Sequence, residues 1–120
     1  MAHVVALVDD LFFQAKILET AKQLGVELRT CSTPEALAAE IAKSAPKLVV
    51  VDLNARGNPL AAAERVRESG QPIALIGFLS HVQTDLAAQA AAAGFAEVMP
   101  RSKFTRNLPE ILSQAKTPVQ

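Results

Sequence analysis

Val4-Val5-Ala6-Leu7-Val8-Asp9-Asp10 and, further along, Leu48-Val49-Val50-Val51-Asp52 decide the reading of this chain. Each is an unbroken apolar run closed by acid. A strand with one wet face alternates apolar and polar residues, whereas a strand covered on both faces reads as a continuous hydrophobic run. Both stretches are therefore read as buried strands, over 4–8 and 48–51. What lies between them is helical in period. Over Phe12 to Leu24, residues Phe13, Ile17, Leu18, Ala21 and Leu24 share one face, with Lys16, Glu19 and Gln23 opposite and Gly25 as the stop. Val26 to Cys31 alternates weakly and suits an edge strand. Thr33 and Pro34 then read as N-cap and first position of a second helix, which turns Leu37 and Ile41 inward.

Beyond Asp52 the pattern continues. Asn54, Arg56, Gly57 and Asn58 compose a loop, and Asn58-Pro59 opens a third helix that stops at Gly70. Ile73 to Ile76 reads as a fourth strand. Ser80 and Gln83 have capping-box spacing ahead of a fourth helix over His81 to Ala93, with Gly94 after it. Val98 and Met99 give a short fifth strand ended by Pro100. Pro109 belongs in the first turn of a fifth helix that buries Leu108, Ile111 and Leu112, because a deeper proline would remove a hydrogen bond and kink it. The tail, Lys116 to Gln120, is expected to fray.

Strands separated by helices pair in parallel through right-handed crossovers, so the sheet carries helices on both faces. The expected fold is doubly wound α/β with a five-stranded parallel sheet in the order 2-1-3-4-5, flavodoxin-like, in a single domain over residues 1–120. Composition agrees. Half the residues are hydrophobic and 20% are charged, which is globular rather than disordered. Lys and Arg together number 12, as do Asp and Glu, so no basic excess points to nucleic acid. The one cysteine, Cys31, forms no internal disulfide and reads as small core filling, and the first apolar stretch is too short and too acidic for a signal peptide or membrane span. A cytoplasmic protein without a membrane or nucleic-acid partner is expected.

Ligand crevices of open parallel sheets lie beyond the carboxyl ends of the strands, where strand order reverses. Asp9, Asp10 and Asp52 end the two strands that flank that point, so the three carboxylates are expected to converge. Like charges in a partly buried cleft repel unless a cation relieves them. Mg²⁺ takes oxygen ligands and needs only one or two carboxylates as anchors, leaving Asp52 as a candidate nucleophile towards a phosphoryl donor. Capping of the first helix by Asp9 and Asp10, and a turn role for Asp52, are the plainer alternatives.

With Val8-Asp9-Asp10 and Val50-Val51-Asp52 in place, the chain from Val4 to Gln114 resembles the receiver domain of bacterial two-component response regulators. The resemblance implies a signalling protein rather than an enzyme, with Mg²⁺ held by Asp9, Asp10, Asp52 and the main chain of Asn54. It implies phosphoryl transfer to Asp52 from a histidine kinase or another phosphodonor protein. It further implies a downstream protein partner and leaves room for a homodimer.

Three family positions depart from the pattern. The hydroxyl residue that ends the fourth strand and contacts the phosphoryl group falls at Gly77, with Ser80 as a substitute, and the lysine that ends the fifth falls at Arg101, with Lys103 as another cation nearby. Arg101 keeps the charge without the compact ammonium and reads equally as a solvated loop residue. The aromatic switch position falls at Val98. His81 has no ligand-spaced partner and reads as a surface or capping residue. Phe12 projects from the polar face of the first helix, as a partner contact, a pocket lid, or a residue packed on the loop after the fourth strand.

Two functions therefore compete. One is a stand-alone receiver phosphorylated on Asp52 and signalling through protein contacts; the other is a degenerate receiver that serves as a phosphorylation-independent interaction module, as Gly77, Val98 and Arg101 suggest. Flavin or nucleotide binding would want a glycine-rich phosphate loop after the first strand, where Asp9-Asp10-Leu11-Phe12 stands instead.

Overall fold

A computed structural model describes residues 2–80 and 83–115. The strands are β1 (Val4–Leu7), β2 (Leu28–Cys31), β3 (Leu48–Asp52), β4 (Ala74–Leu79) and β5 (Glu97–Pro100). Helices α1 (Leu11–Leu24), α2 (Pro34–Ser44), α3 (Ala61–Ser69) and α4 (Thr84–Ala93) join successive strands, and α5 (Arg101–Arg106) and α6 (Leu108–Ala115) follow the last. All neighbours are parallel, in the order β2-β1-β3-β4-β5, so the sheet is the doubly wound one that the sequence pattern implies.

The two faces of the sheet bury separate cores. Val4, Ala6, Leu48, Val50, Ile76, Phe78 and Met99 pack under α1, α5 and α6, with Phe13, Ile17, Phe104 and Leu112 from the helices. Val5, Leu7, Val49, Val51 and Leu75 pack under α2, α3 and α4, with Leu37, Ile41, Val66 and Ala90. Burial of both sets explains why β1 and β3 read as unbroken apolar runs. Cys31 fills part of the second core, and burial pushes its thiol up to about 12. No helix among the described residues is long and apolar enough to cross a membrane.

Several boundaries differ from the sequence pattern. β4 runs on through Gly77 and Phe78 to Leu79, because these residues pair with Val51 and Asp52 of β3 and with Val98 to Pro100 of β5. The third helix begins with turns in which Ala61 and Ala62 donate to the carbonyls of Asn58 and Pro59, and regular α-helix starts only at Ala61. The fourth starts at Thr84 with Gln83 as its cap residue and no side-chain cap, since the Ser80 amide and the Gln83 side chain are both engaged by Asn54. The expected capping box is therefore not formed, and His81, the expected first residue of that helix, lies outside the described residues.

Two helices replace the expected single one after β5. Pro109 has no N–H for the carbonyl of Thr105, so the first segment closes at Asn107 and a second begins at Leu108, with Pro109 in its first turn. Ile111 then donates to the Asn107 carbonyl at 2.9 Å. The added segment brings Arg101 and Phe104 to the carboxyl edge of the sheet.

Candidate functional site: an acid corner closed by arginine

Asp9 and Asp10 follow β1, and Asp52 is the last residue of β3, so the parallel pairing of these strands sets all three acids at one edge. Each acid is already engaged. Asp10 caps α1, its Oδ1 accepting from the amides of Phe12 at 3.0 Å and Phe13 at 3.2 Å. Asp9 Oδ2 accepts from the amide of Arg56 at 2.9 Å, and the Arg56 Nε stands 3.9 Å from the same oxygen. Asp52 Oδ1 accepts from the Asn54 amide at 2.9 Å.

The remaining oxygens of Asp10 and Asp52 face one guanidinium. Arg101 directs Nη1 to Asp10 Oδ2 at 3.5 Å and Nη2 to Asp52 Oδ2 at 3.3 Å, spanning the two acids with its fork. Its Cζ lies 4.4 Å from the centroid of the Phe13 ring and 5.6 Å from that of Phe78. Phe78 in turn stacks on Phe104, with centroids 4.4 Å apart and planes 15° from parallel, and Phe13 tilts against both. Three phenylalanines thus floor the corner, and two of them, Phe13 and Phe78, face the arginine.

Electrostatics follow from burial. Asp52 is 2% exposed, and its desolvation pushes the carboxyl above the ordinary range; the Asn54 amide and the Arg101 charge pull the other way, and Asp9 and Asp10 add to the rise. Asp10 moves in the opposite direction. The Phe13 amide, assisted by Phe12 and Arg101, holds its carboxyl below the ordinary range against the effect of burial. One acid is stabilised by a helix start and the other is costly where it sits.

Other expected site residues lie elsewhere. Gly77 is on the opposite face of β4, where an added Cβ would stand 2.9 Å from Leu53 Cδ1 and 3.0 Å from Phe95 Cδ2. The strand position in register with Asp52 is occupied by buried Phe78, and Gly77, the expected phosphoryl-contact position, pairs with Val51 beside it. Val98 pairs with Gly77 and packs with the α2, α3 and α4 core. Ser80 is exposed and its amide donates to Asn54 Oδ1 at 2.6 Å. Lys103 is exposed on α5. Phe12 is 91% exposed beside Leu11 at 75%, so it does not pack on the loop after β4.

Three contributors escape a reading of the sequence. Arg56 as the partner of Asp9 joins loops far apart in sequence and leaves no local signal. The Asn54 side chain, bonded to Ser80 and Gln83, ties the loop after β3 to the loop after β4. Phe78 carries a usable signal, since Ile76 and Phe78 continue the two-residue period of Leu48, Val50 and Asp52 across the strand pair.

A divalent ion is what the resemblance leads one to expect here, and the donor set does not fit one as arranged. A cation already lies between Asp10 and Asp52, Asp9 is turned to Arg56, and among the described residues no group of three His, Cys, Asp or Glu side chains is disposed to hold a metal.

The strand order, helices on both faces and acids at the β1 and β3 ends define a flavodoxin-like doubly wound domain. Its particular form is the receiver fold. The structure is similar to the signal receiver domain of the response regulator NarL from Mycobacterium tuberculosis, with TM-score 0.78 and 18% identity over 96% of each chain. It is similar to the receiver domain of NtrX from Brucella abortus, with TM-score 0.78 and 18% identity over 96% of this chain and 99% of the other. A receiver domain of a DNA-binding response regulator from Colwellia psychrerythraea gives TM-score 0.80 and 15% identity over 98% and 100%. No family model and no curated protein matches the sequence, so at these identities the likeness is one of fold.

Proposed function

We propose that this chain is a receiver-type signalling module of two-component pathways that acts through protein contacts without requiring phosphoryl transfer. A single observation supports the reading: Arg101 bridges Asp10 and Asp52, so a guanidinium already engages the carboxylate that would accept a phosphoryl group. Asp52 has one oxygen on the Asn54 amide and the other on a guanidinium, and a carboxylate engaged in this way is a poor nucleophile. Phe12, exposed next to the corner, is the partner-surface candidate, and a protein surface or a second copy of the chain is the class of partner.

A second reading keeps Asp52 as phosphoryl acceptor. Its support is the placement of Asp52 at the end of β3 beside a guanidinium, a group well suited to phosphate oxygens. A histidine kinase or other phosphodonor protein would then supply the group, and Arg101 would have to swing from carboxylate to phosphoryl oxygen.

Incubation with acetyl phosphate and MgCl₂, read by intact mass, separates the two. The first reading expects no adduct on the native protein. An adduct that disappears in Asp52→Asn overturns it in favour of the second.

A further inference from the structure

The positive charge in the acid corner is held by two carboxylates and an aromatic floor, not left to solvent as in a loop cation. We infer that Arg101 is the resident cation of the corner, an intramolecular replacement for the divalent ion that such a set of carboxylates otherwise recruits. The inference deepens the reading above and rests on it only in taking this corner as the functional site.

A nearly inaccessible carboxylate flanked by two others stays ionised at neutral pH most readily with a counter-charge, and a hard ion or a guanidinium can supply it. The geometry assigns the role to Arg101. Separate nitrogens address Asp10 and Asp52, which a single ammonium could not do with a fixed fork. The side chain is held in place rather than passing through: its flat face lies over Phe13, Phe78 flanks it, and its Nε is buried with no hydrogen-bond acceptor. A surface arginine would rotate to hydrate that nitrogen. Here the aromatic floor and two carboxylates outweigh the loss.

Backbone chemistry fixes where the charge arrives. Pro100 ends β5 in extended conformation, with φ −61° and ψ 150°, and Arg101 is the first residue of α5. Phe104, one turn on, is fully buried against Phe78 and Phe13, so the start of α5 is anchored from below while Arg101 closes the corner from above. Asp9 is matched separately by Arg56, so each acid of the trio has an internal partner. Removal of the guanidinium would free oxygens of Asp10 and Asp52 together, and the corner would then attract a divalent cation.

The test uses the native chain, Arg101→Met and the double variant Arg101→Met with Asp52→Asn, without any phosphodonor. Amide spectra are recorded with millimolar MnCl₂, and thermal unfolding with and without MgCl₂. The native protein is expected to show no broadening centred on Asp10 and Asp52 and no Mg²⁺-dependent rise in Tm. Arg101→Met is expected to show both, with a rise of roughly 5 °C at saturating ion, and the double variant to lose it. Broadening of those amides in the native protein, or a folded Arg101→Met that binds no ion, overturns the inference. Should Arg101→Met not fold, the native spectra decide alone, since broadening there contradicts a site already filled and its absence supports one. A native protein that binds Mn²⁺ yet takes no phosphoryl group would defeat this inference and leave the proposed function standing.

Discussion

Gly77 and Phe78 are adjacent in β4 and project to opposite faces, and the two surroundings are built on different principles. Around Gly77 the packing is steric: Leu53 and Phe95 occupy the space that a Cβ would need, and Val98 lies alongside in register. Around Phe78 the apolar packing supports a charge, because the ring that stacks on Phe104 also flanks the guanidinium that neutralises Asp52. One face is closed by shape. The other is closed by an ion pair that aromatic rings hold in position, so the two should respond differently to substitution, pH and ions.

The largest effect should come from the charged face. Arg101→Met keeps the length of the side chain and leaves Asp52 buried without its counter-charge, a change expected to cost about 3 kcal/mol at neutral pH in urea unfolding. A loss below about 1 kcal/mol would mean that the pair is a solvated surface contact after all. Next is Phe78→Leu, which forfeits the stack on Phe104 and part of the platform under Arg101, for about 2 kcal/mol.

On the steric face, Gly77→Ala inserts a methyl against Leu53 and Phe95. Leu53 can yield at its tip and the Phe95 ring cannot easily, so a destabilisation of about 1–2 kcal/mol is expected, with no change in how stability depends on pH. A shift in that pH dependence would show that the two faces are coupled.

The pH dependence is itself informative. The native fold holds the Asp52 proton to a higher pH than the unfolded chain does, so this group favours folding most in acid. Its contribution declines as pH rises from the ordinary carboxylate range through the raised value. Asp10 works oppositely, contributing above the ordinary range and losing that contribution as pH falls through its lowered value. The stability of the native protein minus that of Asp52→Asn should therefore fall as pH rises, measured by urea unfolding across the acid range; a difference that rises with pH would reverse the assignment. The smallest effect is expected for Phe12→Ser, within about 0.5 kcal/mol of native stability, because the ring is 91% exposed.

The architecture is readable because its signals are local. The unbroken run from Leu48 to Val51, stops such as Gly25 and Gly70, and the Thr33-Pro34 start each carry their physics within a few residues. The convergence of Asp9, Asp10 and Asp52 follows from topology. How the cluster is neutralised does not, since Arg101 lies on the far side of the chain and both a loop cation and a phosphate contact are consistent with its position. The apolar run read as the fourth strand stops at Ile76, which leaves Phe78 in the loop beyond it, and the role of Gly77 becomes apparent only against Leu53 and Phe95. The extra helix from Arg101 to Arg106 is hidden because Pro109 sets a start for the next segment without revealing that another precedes it.

A double-mutant cycle on Arg101→Met and Asp52→Asn, by urea unfolding at neutral pH, addresses the closure of the corner most directly. Two side chains that neutralise each other in a buried site should couple by about 1 kcal/mol or more, with Asp52→Asn recovering part of the stability that Arg101→Met loses. Strictly additive losses would contradict the account, and Arg101 would then be a neighbour of Asp52 rather than its counter-ion.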